Sequence, residues 1–231
     1  MVIIIILIIL ILDQWLKIYI KTNFEYGKGF DILGLSWAKI HFVENKGMAF
    51  GIEFWGKTGK LLLSLFRLIM IGILGVIIHN LIKAKEPIGL LISFALIMAG
   101  AIGNVIDSAF YGLIFSETPQ FHGGVAEMFP EGGGYESFLH GKVVDMLYFP
   151  LIDTRFAEWV PFVGGNRFQF FKPVFNIADT SISVGVISIL LFHRVFFKSS
   201  KPKKVDVGVA TQVLGAVVDK GGEDIEDIAS K

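Results

Sequence analysis

Four apolar runs set the limits on what this chain can become: about residues 2–20, 60–79, 88–107 and 174–197 are each near the length needed to cross roughly 30 Å of hydrocarbon as a helix. Inside a bilayer every backbone polar group must find its partner within the protein, so helix is the conformation these runs can hold. With 53% hydrophobic residues among 231 and a mean hydropathy of +0.64, the chain is too apolar for an ordinary soluble domain and too short for a large transporter. The expected fold is a mainly α membrane protein with four transmembrane helices. The run from Val2 to Leu12 has the look of a signal peptide, but no basic segment precedes it and DQWLK follows in place of a small-residue cleavage site. It is read as a retained span.

Four spans put both termini on one side of the membrane. Lys83 and Lys85 lie in the short connection between spans two and three, and Arg194, Lys198, Lys201, Lys203 and Lys204 follow span four, which makes that side cytoplasmic. Lys17 and Lys21, at the far end of span one, favour the reverse orientation and are outweighed by the basic tail. In this topology Asp13 and Lys17 occupy the outer half of span one, and Asn104 and Asp107 the outer end of span three. Asn176 and Asp179 fall in the first two turns of span four, with Asp145 in the outer loop before it. Carboxylates and amides are costly in lipid, so their convergence at one depth predicts a functional site at the outer membrane–water boundary.

The remaining features narrow the chemistry. A formal net charge of zero and the lack of a basic stripe give no footprint for nucleic acid. The chain has no cysteine, which excludes thiol catalysis and Cys-ligated metal. His122 and His140 have no ligand-spaced companions and read as solvated loop residues, so neither a metal nor another cofactor is expected.

The outer connections carry structure of their own. SWAKIHFVENKGMAFGIEFW alternates in part, with Trp37, Ile40, Phe42 and Val43 before a turn-like Asn45-Lys46-Gly47, and predicts a small sheet or hairpin on the outer leaflet. The connection 108–173 is long, and its Gly/Pro-rich part, His122 to Gly141, lacks a helical period; Gly132 to Gly134 reads as flexible linker. The Phe-rich stretch from Phe162 to Phe175 reads as an interfacial aromatic belt or the lining of a lipid path. Residues 1–198 are expected to form a single membrane-embedded domain, and 199–231 a disordered cytoplasmic tail.

Five motifs occur in order: DQWLK (Asp13 to Lys17), NKGMAFG (Asn45 to Gly51), GAIGNVID (Gly100 to Asp107), VVDML (Val143 to Leu147) and FNIADT (Phe175 to Thr180). In this order they resemble the lipoprotein signal peptidases, or signal peptidase II, over about residues 10 to 195. The resemblance implies four spans with a small extracytoplasmic β-cradle and a multi-pass location in the bacterial inner membrane with the active site facing the periplasm. It implies an aspartic endopeptidase that cleaves prolipoproteins before a diacylglyceryl-modified cysteine, works as a monomer in contact with membrane lipid, and is inhibited by globomycin. Asp145 and Asp179 match the catalytic pair. Asp13, Lys17, Asn45, Gly47, Ala49, Gly103, Asn104, Asn176 and Ala178 match supporting and substrate-contacting positions, and Asp107 closes the third motif among them. The chain departs from the family at Ser108, where an arginine commonly holds the substrate backbone; either that contact is lost or another cation such as Arg155 or Arg167 makes it. Long insertions also flank Asp145 and read either as a lid over the cleft or as a feature of lineage alone.

Amide hydrolysis by two carboxylates needs one ionised to activate water and one protonated to donate to the carbonyl oxygen. Close like charges in a partly desolvated site share one proton and titrate as a unit. Simpler roles exist for the supporting residues: Asp13 and Lys17 are an i,i+4 acid-first pair, the asparagines can satisfy one another, and Arg67 in span two can snorkel or pair with a neighbouring helix. Two other functions use carboxylates at this depth. One is a small carrier or assembly subunit with Asp13, Asp107 and Asp179 as a proton relay; the other is a metal-dependent lipid-headgroup transferase.

Overall fold

The computed structural model describes residues 1–45, 56–121, 123–170 and 172–193. In chain order the elements are α1 (Val2–Asn23), β1 (Gly29–Asp31), a 3-10 turn (Ile32–Gly34), β2 (Lys39–Asn45), α2 (Gly56–Lys83) and α3 (Ile88–Ile106). A π-helical turn (Asp107–Tyr111), α4 (Gly112–Ile114), β3 (Val143–Tyr148), β4 (Ile152–Arg155), β5 (Arg167–Phe170), β6 (Val174–Phe175) and α5 (Ile177–Phe192) follow.

Among the described residues three helices are long and apolar enough to cross a membrane, and α5 is a shorter apolar helix. Their outward faces are greasy: Ile4, Leu7 and Ile11 of α1, Phe66 and Ile69 of α2, and Ile187 and Leu190 of α5 are exposed. Such surfaces are stable when hydrocarbon covers them. Two expected boundaries change. Span three does not stop near 107 but runs on through the π turn to Ile114. Span four does not begin at 174, because Val174 and Phe175 pair as a strand with β3 and the helix starts at Ile177; residues 194–197 of the expected span lie outside the described residues.

Close approach of α3 and α5 depends on small residues, as expected where the gain comes from packing rather than from escape from water. A Cβ at Gly103 would lie 2.8 Å from Asp13 Oδ2 and 3.1 Å from Ala178 Cβ, and one at Gly100 would run into the Ala178 carbonyl. Toward the opposite end Leu74, Ile78, Leu90, Phe94, Met98 and Ile189 form the helical core.

The strands form an antiparallel sheet in the order β1-β2-β3-β6, with β4 and β5 as a separate two-stranded ribbon. Ile40, Phe42, Val144 and Met146 pack with Ile20, Tyr111 and Phe115 in a second core between the sheet and the helix ends. Alternation along β3 therefore turns Asp145 away from the face that presents Val144 and Met146. Asp145 is thus a strand residue, opposite Val43 in β2, and not a loop residue.

The segment after the π turn folds back tightly. Tyr135 N donates to Phe115 O at 3.0 Å and Glu136 N to Gly112 O at 2.9 Å. A Cβ at Gly134 would strike the Gly112 carbonyl, so this glycine serves a close backbone approach and not a slack linker.

Candidate active site

Local capping sets the position of Asp179. Asn176 Oδ1 accepts the Asp179 N–H at 2.9 Å, and Thr180 N donates to Asn176 O at 3.1 Å as the first helical bond. Asn176 is therefore the N-cap of α5, one step outside the helix, and Asp179 lies in its first turn, where the helix dipole favours a carboxylate. The amide nitrogen of the same side chain donates to Asp145 Oδ1 at 2.8 Å. Asn104 Nδ2 donates to Asp179 Oδ1 at 2.7 Å, and Asn176 Nδ2 also approaches Asn104 Oδ1 at 3.1 Å. The Asn45 side chain adds a hydrogen bond to Asp145. A strand end, a helix cap and α3 thus join two carboxylates through a lattice of amides.

The two acids differ in setting. Asp145 is 3% exposed, and burial, followed by the charge of Asp179, pushes its carboxyl up to about 7. Such a group keeps its proton near neutrality. Asp179 accepts from Asn104 and lies in the first turn of α5.

Beneath this pair lies a fully buried ionic knot. Lys17 Nζ is 2.8 Å from Asp13 Oδ2, 2.8 Å from Asp107 Oδ2 and 3.2 Å from Asn104 Oδ1. Asp13 accepts the Ala178 N–H at 2.9 Å, and Asp107 accepts the Val144 N–H at 3.2 Å, so the knot fixes the backbone next to both Asp179 and Asp145. Gln14, not singled out in the sequence, donates to Asp107 Oδ1 at 2.9 Å and to Asp13 Oδ2 and Gly103 O at 3.2 Å, and accepts from Tyr111 Oη at 3.1 Å. An amide inside an apolar span was the available signal, since it must find partners.

A second knot was also missed. Lys21 pairs with Glu44 and donates to Thr118 Oγ1 at 2.9 Å, and Lys142 pairs with Glu44 and Glu117. Both ammonium groups stack on Tyr135 at 5.2 Å. Lys17 and Lys21 are 0% exposed, so neither counts as a solvated loop charge against the expected orientation.

Arg67 of α2 donates from Nη1 to Ser108 Oγ at 3.3 Å. Arg155 and Arg167 instead oppose each other across the β4–β5 ribbon. Phe162, at that ribbon's loop, is fully exposed, while Phe175 packs on Phe149 at 5.6 Å between ring centroids. Gly47, Ala49 and His122 lie outside the described residues. Among the described residues no group of three His, Asp or Glu is placed to hold a metal ion.

A family model described as Signal peptidase (SPase) II matches residues 5–196. The lipoprotein signal peptidase of Porphyromonas gingivalis strain W83 is 48% identical over 189 residues, which is 81% of this chain and 80% of that one. The lipoprotein signal peptidase of Amoebophilus asiaticus is 37% identical over 191 residues, 81% of this chain and 75% of that one. A solved bacterial membrane enzyme aligns with a TM-score of 0.53 at 24% identity, covering 88% of this chain and 92% of that chain, a likeness of fold.

Proposed function

The chain belongs to the signal peptidase II family, and we propose that it removes signal peptides from prolipoproteins by an aspartic mechanism in which Asp145 and Asp179 act as one dyad. The observation that carries this reading is the Asn176 side chain, which donates to one carboxylate and caps the helix that bears the other.

The raised Asp145 and the helix-terminal Asp179 support a division of labour. Asp179 takes a proton from the attacking water while Asp145 gives its proton to the scissile carbonyl oxygen. In the resulting gem-diol, Asp145 takes a proton back from a hydroxyl as the C–N bond breaks, and Asp179 passes its proton to the leaving amine. Both carboxylates return to their starting states, and one water is consumed. The bond cleaved is the one before a diacylglyceryl-modified cysteine. Acyl chains left in the bilayer would hold that bond at the depth of the dyad, which is how anchoring lowers a barrier.

We place the site at the periplasmic face of the bacterial inner membrane, with both termini in the cytoplasm. The basic residues Lys83 and Lys85 support this orientation, together with the burial of Lys17 and Lys21. Residues 1–198 act as one domain and a monomer, residues 199–231 as a cytoplasmic tail, and globomycin should inhibit. The reading is tested by mass spectrometry of a diacylglyceryl-modified prolipoprotein and its unmodified form after incubation with the purified protein, with and without EDTA. Cleavage of the lipidated form alone, immediately before cysteine and insensitive to EDTA, is expected; loss of activity on chelation, or no product from either form, would overturn it.

A further inference from the structure

Arg67 is a cation in the middle of an apolar helix, and a charge so placed in a membrane protein faces the protein interior or a wet cavity and is functional by default. Its surroundings differ from those of the buried lysines. Lys17 is met by Asp13 and Asp107, Lys21 by Glu44, and Lys142 by Glu44 and Glu117. Among the described residues no carboxylate lies within ion-pair distance of Arg67, and its one hydrogen bond goes to Ser108 Oγ. That hydroxyl is fixed in turn, donating to Asn104 O at 3.0 Å.

Ser108, in the π turn, lies four residues after Asn104 of α3, and the two stack on one face of the continuous span. Asn104 reaches Asp179 from that face, and Ser108 reaches Arg67. Arg67 is therefore attached to the same helical face that reaches the dyad, and the charges of Asp179, Asp107 and Asp145 all act on it. A guanidinium has five N–H donors in a planar fork. Among the described residues one is used, which leaves the others for a peptide lying over the dyad.

We propose, resting on the dyad reading above, that Arg67 is a positioning residue: anchored on Ser108, its charge keeps the Asp145–Asp179 pair singly ionised as the peptide displaces water, and its free N–H groups take backbone carbonyl oxygens beside the scissile bond. A nearby positive charge favours the anion of a carboxylate, so removing it raises the pH at which the dyad first ionises.

The experiment measures kcat, KM and the acidic limb of the pH profile for wild type, Arg67→Met, Arg67→Lys, Ser108→Ala and Asp145→Asn on the lipidated substrate in detergent. Arg67→Met is expected to lose about 100-fold in kcat/KM, the scale of misplaced substrate, and to move the acidic limb upward. Arg67→Lys should restore the limb while recovering only part of kcat/KM, because an ammonium lacks the fork. Ser108→Ala should raise KM with the limb unmoved. An Arg67→Met enzyme with a wild-type limb and kcat/KM within about twofold of wild type overturns the proposal. If that variant fails to insert, Arg67→Lys decides: a limb displaced despite the retained charge overturns it. Turnover in Asp145→Asn would sink the dyad reading itself, whereas a dead Asp145→Asn beside a normal Arg67→Met sinks this proposal alone.

Discussion

Asn176 Nδ2 sits 2.8 Å from Asp145 Oδ1, while the oxygen of the same amide caps the helix that carries Asp179 in its first turn. One side chain therefore fixes the distance between a strand acid and a helix acid. Asn is suited to this because its amide offers donors on one atom and an acceptor on the other. Replacement by Ala would remove both links, with a loss of about 1–2 kcal/mol expected from the cap alone and a fall in kcat/KM of about 100-fold from the misplaced dyad. Thermal unfolding in detergent and steady-state kinetics on the same sample check the two effects. Wild-type activity in Asn176→Ala would contradict the bridging role.

Activity should fall as pH rises through about 7, the value to which burial and the Asp179 charge bring Asp145 from its ordinary 3.8. Above that pH the dyad loses its shared proton and no acid remains for the carbonyl oxygen. The linkage to stability has the same direction. A carboxyl whose folded value is raised stabilises the fold below its unfolded value, and that contribution is lost as pH rises from about 4 through about 7. An Asp145→Asn protein should lose this dependence, which pH-resolved melting would detect.

Lys17 is the centre of a buried triad with Asp13 and Asp107. Lys17→Met leaves two buried carboxylates without a counter-charge, and removal of one partner from such a cluster costs about 3–5 kcal/mol. Because Asp13 and Asp107 also hold the Ala178 and Val144 N–H groups, activity should fall together with the melting temperature. A variant that melts like wild type but is inactive would place Lys17 in the chemistry instead of beneath it.

Glu44 gives a test of the outer segment. Burial pushes its carboxyl up, but the charge and hydrogen bond of Lys21, the charge of Lys142 and the Thr118 hydrogen bond more than offset this and hold it below the ordinary 4.5. A depressed carboxyl contributes stability above its unfolded value, and the contribution is lost as pH falls through the folded one. Glu44 and Thr118 tie strand β2 to the segment before Ala126. Acidification below the ordinary carboxylate range should therefore open this segment to limited proteolysis before the helices unfold. Glu44→Gln should be cleaved there already at neutral pH.

Much of this arrangement was legible in the sequence, for a physical reason. In lipid a polar side chain is conspicuous, so Asp13, Lys17, Asn104, Asp107, Asn176 and Asp179 stood out against their apolar neighbours, and span direction brought them to one depth. Less legible were features fixed by pairing across the chain. The strand character of Val174 and Phe175 depends on β3, about 30 residues earlier, and a two-residue strand leaves no period to read. Glu44 does not stand out in the sequence, and Lys21 reads only as a charge at the far end of span one, because burial by the distant Thr118 and Tyr135 has no local signature. Arg67 was visible as a misplaced cation, but its attachment to Ser108 belongs to helix packing.

The central claim is that two aspartates, one on β3 and one on α5, perform a single hydrolysis. The decisive measurement compares wild type, Asp145→Asn and Asp179→Asn, all purified in detergent and matched for melting behaviour, on a diacylglyceryl-modified prolipoprotein. Both variants are expected to lose at least about 1,000-fold in kcat while remaining folded, since each removes a proton carrier and general acid–base groups are worth about 100- to 10,000-fold. Substantial cleavage by both folded variants would contradict the dyad and return the carboxylates to a structural role.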